Sequence, residues 1–391
     1  MKHIIILTFI LFGIEISAQG DYRMKSNYSQ VEIDFLSSYY GQNGDNGAVT
    51  GGIGTEQLTD FANIIVVNIP LDSAQSINVS AGLDIYSSAS TDNIDNNRSS
   101  ASSMDVRSYG NLSYSRKILS KGWTLGGRTG FSTEYDYVSF SGGVNVTKEF
   151  NNGNSEVSFS GQAFFDNWKT YYPVELRGKV DVPTTNRNSY NAQLTFSQVL
   201  SQRIQMSLSG EIILMEGLLS TPFHRVYFSD QELPDIERLP ESRLKIPLAL
   251  RLNYKASDNL IVRTYYRYYS DDFGIQAHTV NLELPIYLSD VWTISPFYRY
   301  HTQSGSKYFL PYQGHLSTSS YYTSDFDLSE LVSHKFGVGF SYNPIFGISR
   351  MALPLIDKIF MINSISLRLS RYYRDTGLDG YAAGLHINMR F

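Results

Sequence analysis

Charged side chains recur on one parity between Arg243 and His301: Arg243, Lys245 and Arg251, then Arg263 and Arg267, then Glu283, then Arg299 and His301. Residues two apart along a strand project from the same face, so consecutive strands would gather these groups on one wall. Such a wall has two uses. It attracts anionic solutes or a partner's acidic segment, because charges lining a passage set its selectivity. Alternatively, Glu283 joins the cations in a cross-strand ladder of ion pairs that rigidifies and fills the interior.

Other chemistry finds little footing. The histidines beyond the N-terminal segment are His224, His278, His301, His315, His334 and His386, and none has H-x-x-x-H or H-E-x-x-H spacing. His334, within HKFGVGF, is the nearest candidate for a surface Ser–His pair and reads as a rim residue. Asp271-Asp272 beside His278 could hold a divalent ion, yet two carboxylates in SDDFG are ordinary turn formers. GGIGTE (Gly51 to Glu56) lacks the strand-to-helix setting of a phosphate loop. With no cysteine there is no disulfide, thiolate metal site or lipidated thiol. Lys and Arg (32) do not exceed Asp and Glu (37), which argues against nucleic acid as a partner. No enzyme class, metal or cofactor is expected.

The elements that position the charged wall are strands. There are 29 Tyr, 22 Phe and 30 Gly among 391 residues, a composition of strands and turns. Period-2 alternation is nearly continuous: Val31, Ile33 and Phe35; Ile77 to Ile85; Val157 to Phe165; and Leu244, Ile246, Leu248, Leu250 and Leu252. These segments are longer than strands of soluble sheets and suit a tilted strand crossing a bilayer. Before them, Lys2 and His3 precede an apolar run, Ile4 to Ile14, followed by Glu15-Ile16-Ser17-Ala18 with a small residue at the cleavage point after Ala18. This reads as a signal peptide over residues 1–18, too short to anchor in a membrane. Residues 19–391 read as one domain.

Connections sort by parity. Long ones are expected at 41–56, 88–104, 169–188, 217–242 and 304–331, and short ones at 71–75, 116–122, 149–154, 200–203, 255–259 and 288–291. A short connection near Thr133 and a long one at 343–359 break the rule. An all-β, transmembrane, antiparallel up-and-down barrel of about 16 strands (roughly 14 to 18) has this asymmetry, with long outer loops and short periplasmic turns. Apolar residues such as Leu282, Leu284 and Ile286 then face lipid, while Asn281 and Glu283 face the lumen. Counted from the short turns, Arg251, Arg263 and Glu283 share a low level, with Arg267 and Arg299 higher. Tyr39, Trp123, Tyr254, Trp292 and Tyr300 suit the interfacial girdles. The final GLHINMRF aims Leu385, Ile387, Met389 and Phe391 at lipid and closes against Val31 to Phe35. A strand ending in this way resembles the signal read by barrel-insertion machinery.

Four stretches, LSTPFHRVYFSDQELPDIERLPESR (Leu219 to Arg243), ALRLNY (Ala249 to Tyr254), YYRYYSDDFGIQAHTVNLE (Tyr265 to Glu283) and SPFYRYHTQS (Ser295 to Ser304), resemble the bacterial family catalogued as domain of unknown function 3570. The resemblance implies an exported barrel of the outer membrane. Its motifs fall on Pro222, Arg225, Glu237, Arg238, Pro240, Ser242 and Arg243, and on Arg267, Tyr268, Asp271, Asp272 and His278. It also implies an indirect link to flavin attachment in the envelope. Two roles stay open. One is a channel or transport barrel with the basic lumen wall, partly constricted by the 217–242 loop. The other is a structural or partner-binding barrel serving an export or flavin-linked electron-transfer apparatus, with an envelope protein as partner.

Overall fold

The computed structural model describes residues 30–87, 104–170, 185–353 and 358–391. Residues 1–18 and the connections 88–103 and 171–184 lie outside them. The described chain is a closed antiparallel barrel of 16 strands. In order these are β1 (Glu32–Asn43), β2 (Leu58–Pro70), β3 (Gln75–Ser87), β4 (Met104–Ile118), β5 (Trp123–Thr133), β6 (Tyr137–Phe150), β7 (Ser155–Trp168) and β8 (Thr185–Ser201). They continue with β9 (Ile204–Gly217), β10 (Ser242–Lys255), β11 (Ile261–Asp271), β12 (Gln276–Glu283), β13 (Trp292–Gln303), β14 (Leu331–Tyr342), β15 (Lys358–Arg374) and β16 (Asp379–Arg390). Each strand pairs with its neighbours in sequence, and β16 pairs with β1 from Glu32↔Arg390 to Asn43↔Asp379. Closure leaves no open edge, which a sheet in hydrocarbon requires.

The alternation decides which solvent each face meets. On β10, Leu244, Ile246, Leu248, Leu250 and Leu252 are 36–49% exposed on the outer surface. A row of bare leucines would be costly in water and is ordinary against acyl chains. Trp123, Tyr254 and Trp292 are exposed near the periplasmic ends of their strands, and Tyr39 is exposed near the other rim. The buried apolar cluster of Val226, Phe228 and Tyr322 lies in the outer loops and not in the wall. No helix among the described residues is long and apolar enough to cross a membrane.

Connections on one end are short, including 71–74, 119–122, 202–203 and 256–260, whereas 44–57, 218–241 and 304–330 on the other are long. The exceptions are the short outer turns 134–136, 272–275 and 375–378 and, on the short end, the long connection after β14, which carries a short strand, Ser349–Leu353, that pairs with the start of β15. Pro285 supplies no N–H. The Leu284 amide still donates to the Pro296 carbonyl at 3.0 Å, and past Pro285 the pairing continues in the same register at Ile286↔Ile294. At the closing seam, Asp34 Oδ1 accepts from Asn388 Nδ2 at 2.7 Å and lies 2.8 Å from His386 Nε2. Val31 and Phe391 exchange two backbone hydrogen bonds of 2.8 and 3.0 Å, so the seam is paired to the last residue.

Candidate functional site: a basic wall beneath a three-armed lid

Arg251, Arg263, Arg267, Glu283, Arg299 and His301 line a single cavity of about 810 Å³ inside the barrel. Strand register sets their heights. Arg263 lies opposite Glu283, Arg267 opposite Thr279, and Thr279 opposite His301. Arg251 shares its rung with Tyr265, Asn281 and Arg299. It therefore stands a rung above Arg263 and Glu283 and level with Arg299, whereas counting from the turns puts Arg251 with the first two and Arg299 higher. Lys335 extends that rung, opposite Arg299.

Pairing along this wall is uneven. Glu283 Oε1 accepts from Arg368 Nη1 at 3.1 Å, and the Arg368 guanidinium lies 3.8 Å from the Phe297 ring centre. Arg251 and Arg267 rest over the rings of Tyr265 and Tyr269, each at 5.7 Å. Among the described residues, Arg251, Arg263, Arg267 and Arg299 form no ion pair with a carboxylate. Across the lumen, Asp60 on β2 and Asp84 on β3 take the inward parity, and Asp84 lies 3.9 Å from Arg107.

At the rim, the Asp271 side chain is fully buried and accepts from Arg243 Nη2 at 2.5 Å, Arg243 Nε at 3.0 Å, Tyr269 Oη at 2.7 Å and the Ile275 amide at 3.0 Å. Asp272 accepts from the Leu244 amide at 3.1 Å. His278 turns the other way and its Nδ1 lies 2.8 Å from Tyr266 Oη on the outer face, so it does not join the aspartates. His334 is likewise on the outer surface, 2.7 Å from Tyr298 Oη.

Above the wall, loops from distant strands meet. Loop 218–241 leaves β9 and loop 44–57 leaves β1, which stand half a turn apart in the ring. Nonetheless, Arg225 Nη1 donates to the Val49 carbonyl at 2.7 Å. Gly51, at φ +82°, approaches Tyr227 so closely that a Cβ there would sit 2.6 Å from the ring. The third arm, loop 304–330 after β13, joins through paired amides and carbonyls of Arg238 and Tyr322 at 3.0 and 2.8 Å. Loops rooted on opposite walls that bond one another must cross the mouth between them. Arg225, Asp235 and Glu237 of loop 218–241 bond within this lid. Glu237 accepts from Thr323 Oγ1 at 2.5 Å and from the Thr221 amide at 2.6 Å, and among the described residues it forms no ion pair with the lumenal arginines.

The lid is electrostatically tense. Burial, with the charge of Asp327 added, lifts the Glu56 carboxyl to about 7. Burial likewise pushes Asp325 up to about 6. Burial pulls the His224 imidazole down, but Glu237 and Asp325 more than reverse this and raise it.

Arg368, Lys335, His224 and Asp325 were not among the residues singled out from the sequence. Arg368 and Lys335 do follow the inward parity of SLRLS and HKFGVGF, so alternation held the signal. His224 and Asp325 carry no such signal, because their proximity depends on how two loops fold.

A closed up-and-down barrel with an apolar exterior and a charged lumen is an outer-membrane β-barrel of porin-like build. Within that class the chain belongs to the family described as protein of unknown function (DUF3570), whose profile matches residues 11–347. Among solved structures it overlays a mutant of the Pseudomonas aeruginosa ferric enterobactin receptor PfeA at TM-score 0.45 and 12% identity, over 88% of this chain and 53% of that one. It therefore spans about half the receptor's length. It also overlays a bacterial polysaccharide outer membrane secretin at TM-score 0.46 and 11% identity, over 94% of this chain and 99% of that one. The overlay on P. aeruginosa OccK9 (OpdG) has TM-score 0.44 and 7% identity, over 93% and 98% respectively. No curated protein matches the chain in sequence.

Proposed function

We propose that the protein is a diffusion channel for small anionic solutes in the outer membrane, with its outer mouth covered by the lid. The observation that carries this reading is the cluster of Arg251, Arg263, Arg267 and Arg299 in one cavity whose carboxylate, Glu283, is already held by Arg368. Guanidinium groups without internal counter-ions attract mobile anions, and a low-dielectric wall focuses their field. Loop 218–241 constricts the passage from above. On this reading residues 1–18 direct export and are removed, the apolar belt contacts outer-membrane lipid, and the β16 sequence engages the insertion machinery.

Planar-bilayer recordings in a salt gradient test the proposal. The expected reversal potential favours anions, and the triple variant Arg251→Gln, Arg267→Gln, Arg299→Gln abolishes most of that preference. Deleting residues 219–240 is expected to raise conductance. Silence from both the full chain and the deletion would reject a channel. The lid crossing the mouth supports that second reading, a barrel that docks an envelope partner, and silence would select it.

A further inference from the structure

Two arms of the lid meet at three side chains that could share a metal ion. His224 and Glu237 come from loop 218–241 and Asp325 from loop 304–330; one donor atom from each lies within 4.8 Å of the others. His224 Nδ1 is 3.7 Å from Glu237 Oε1 and 3.9 Å from Asp325 Oδ2. Both separations are too long for a hydrogen bond, and this Nδ1 is buried with no hydrogen-bond partner. Donors that share a first-row ion at about 2.0–2.2 Å stand roughly 3–4 Å apart.

The carboxylates are already oriented. Glu237 is 4% exposed and is held by Thr323 and Thr221. Asp325 accepts from the Asp327 amide through Oδ1 at 2.9 Å, which leaves Oδ2 turned toward the imidazole. Bonds of this kind fix ligating groups from behind. A protonated imidazole between two carboxylates is the competing account. In that case His224 would be drawn into charge-assisted contact with one of them, at about 2.7–2.9 Å. Instead the imidazole stands back from both, around a common gap.

We propose that His224, Glu237 and Asp325 bind one first-row divalent cation, such as Zn²⁺ or Mn²⁺, and that the ion ties the two lid arms together. One imidazole and two carboxylates suit such ions. Calcium prefers six to eight oxygen ligands, more than this set supplies. Two carboxylates also neutralise the ion, which a buried site requires.

The test is equilibrium dialysis of the purified full-length barrel in detergent, stripped with chelator and then exposed to Zn²⁺ or Mn²⁺, with elemental analysis of the retained ion. About one ion per chain is expected for the wild type. His224→Gln and Asp325→Asn should each weaken binding by roughly tenfold or more. Glu134→Gln, in the separate acidic cluster of Asp105, Glu134 and Asp136, should leave binding unchanged. Heat-dependent gel migration checks that each variant is a closed barrel. No retained ion, retention unaffected by His224→Gln, or loss caused by Glu134→Gln would each overturn the site. Binding is read without conductance, so this failure and that of the channel reading are separate.

Discussion

Asp271 shows how a single residue sets the rim. Its carboxylate has no exposed surface and takes four donors, two of them from an Arg243 whose side chain is only 15% exposed. Asp271→Asn leaves that guanidinium buried without its counter-charge, at a cost of about 3–5 kcal/mol. Urea unfolding in lipid vesicles should show the loss, and an unchanged midpoint would contradict it. Glu283 offers a subtler case. It sits opposite Arg263 in register yet bonds to Arg368. Arg368→Gln removes one cation and frees Glu283 to neutralise a second, Arg263. Anion preference in a salt gradient should fall by more than in Lys335→Gln, which removes only one. Parity made the wall residues legible in the sequence, but not their partners, because a lumenal side chain reaches beyond its own rung.

At the scale of elements, strands and lid differ in kind. Each strand carries its own signature, since one face meets hydrocarbon and the other the lumen along its length. The alternation in LKIPLALRLNY or GLHINMRF therefore assigns both element and facing. Loop contacts have no period. Arg225 meeting Val49, or His224 meeting Asp325, follows from where the ring places the loop roots. Loop 44–57 also carries a titratable switch. Glu56 has its carboxyl raised by burial, then by Asp327 and Asp325, while Arg374 and a hydrogen bond from Gln42 act the other way. Its pKa in the docked loop, about 7, lies above the ordinary value of 4.5, so the docked form holds the proton more tightly. Docking is then favoured most below about pH 4.5, weakens as pH rises to about 7, and is flat above. Recordings in chelator should show longer closures at pH 5 than at pH 8, with the difference reduced in Glu56→Gln. An identical pH response in that variant would sink the assignment.

For the whole molecule, barrel and lid can be separated by experiment because the chain has no cysteine. Arg238 and Tyr322 join loops 218–241 and 304–330 as a doubly hydrogen-bonded antiparallel pair. In such a pair the Cα atoms stand about 5.5 Å apart, within the range a disulfide spans. Arg238→Cys with Tyr322→Cys therefore places one redox-controlled bond between two arms of the lid and nowhere else. Tyr322 also fills the small core with Val226 and Phe228. The reduced double variant should accordingly have a looser lid and conduct more than wild type. Oxidation should bring conductance below that of the reduced form, and reductant should restore it, while wild type responds to neither. The strand wall does not change in this comparison, so any redox response in current belongs to the lid. If oxidised and reduced forms conduct alike while the bond is shown to form, the two arms do not control the passage, and the pore runs past them.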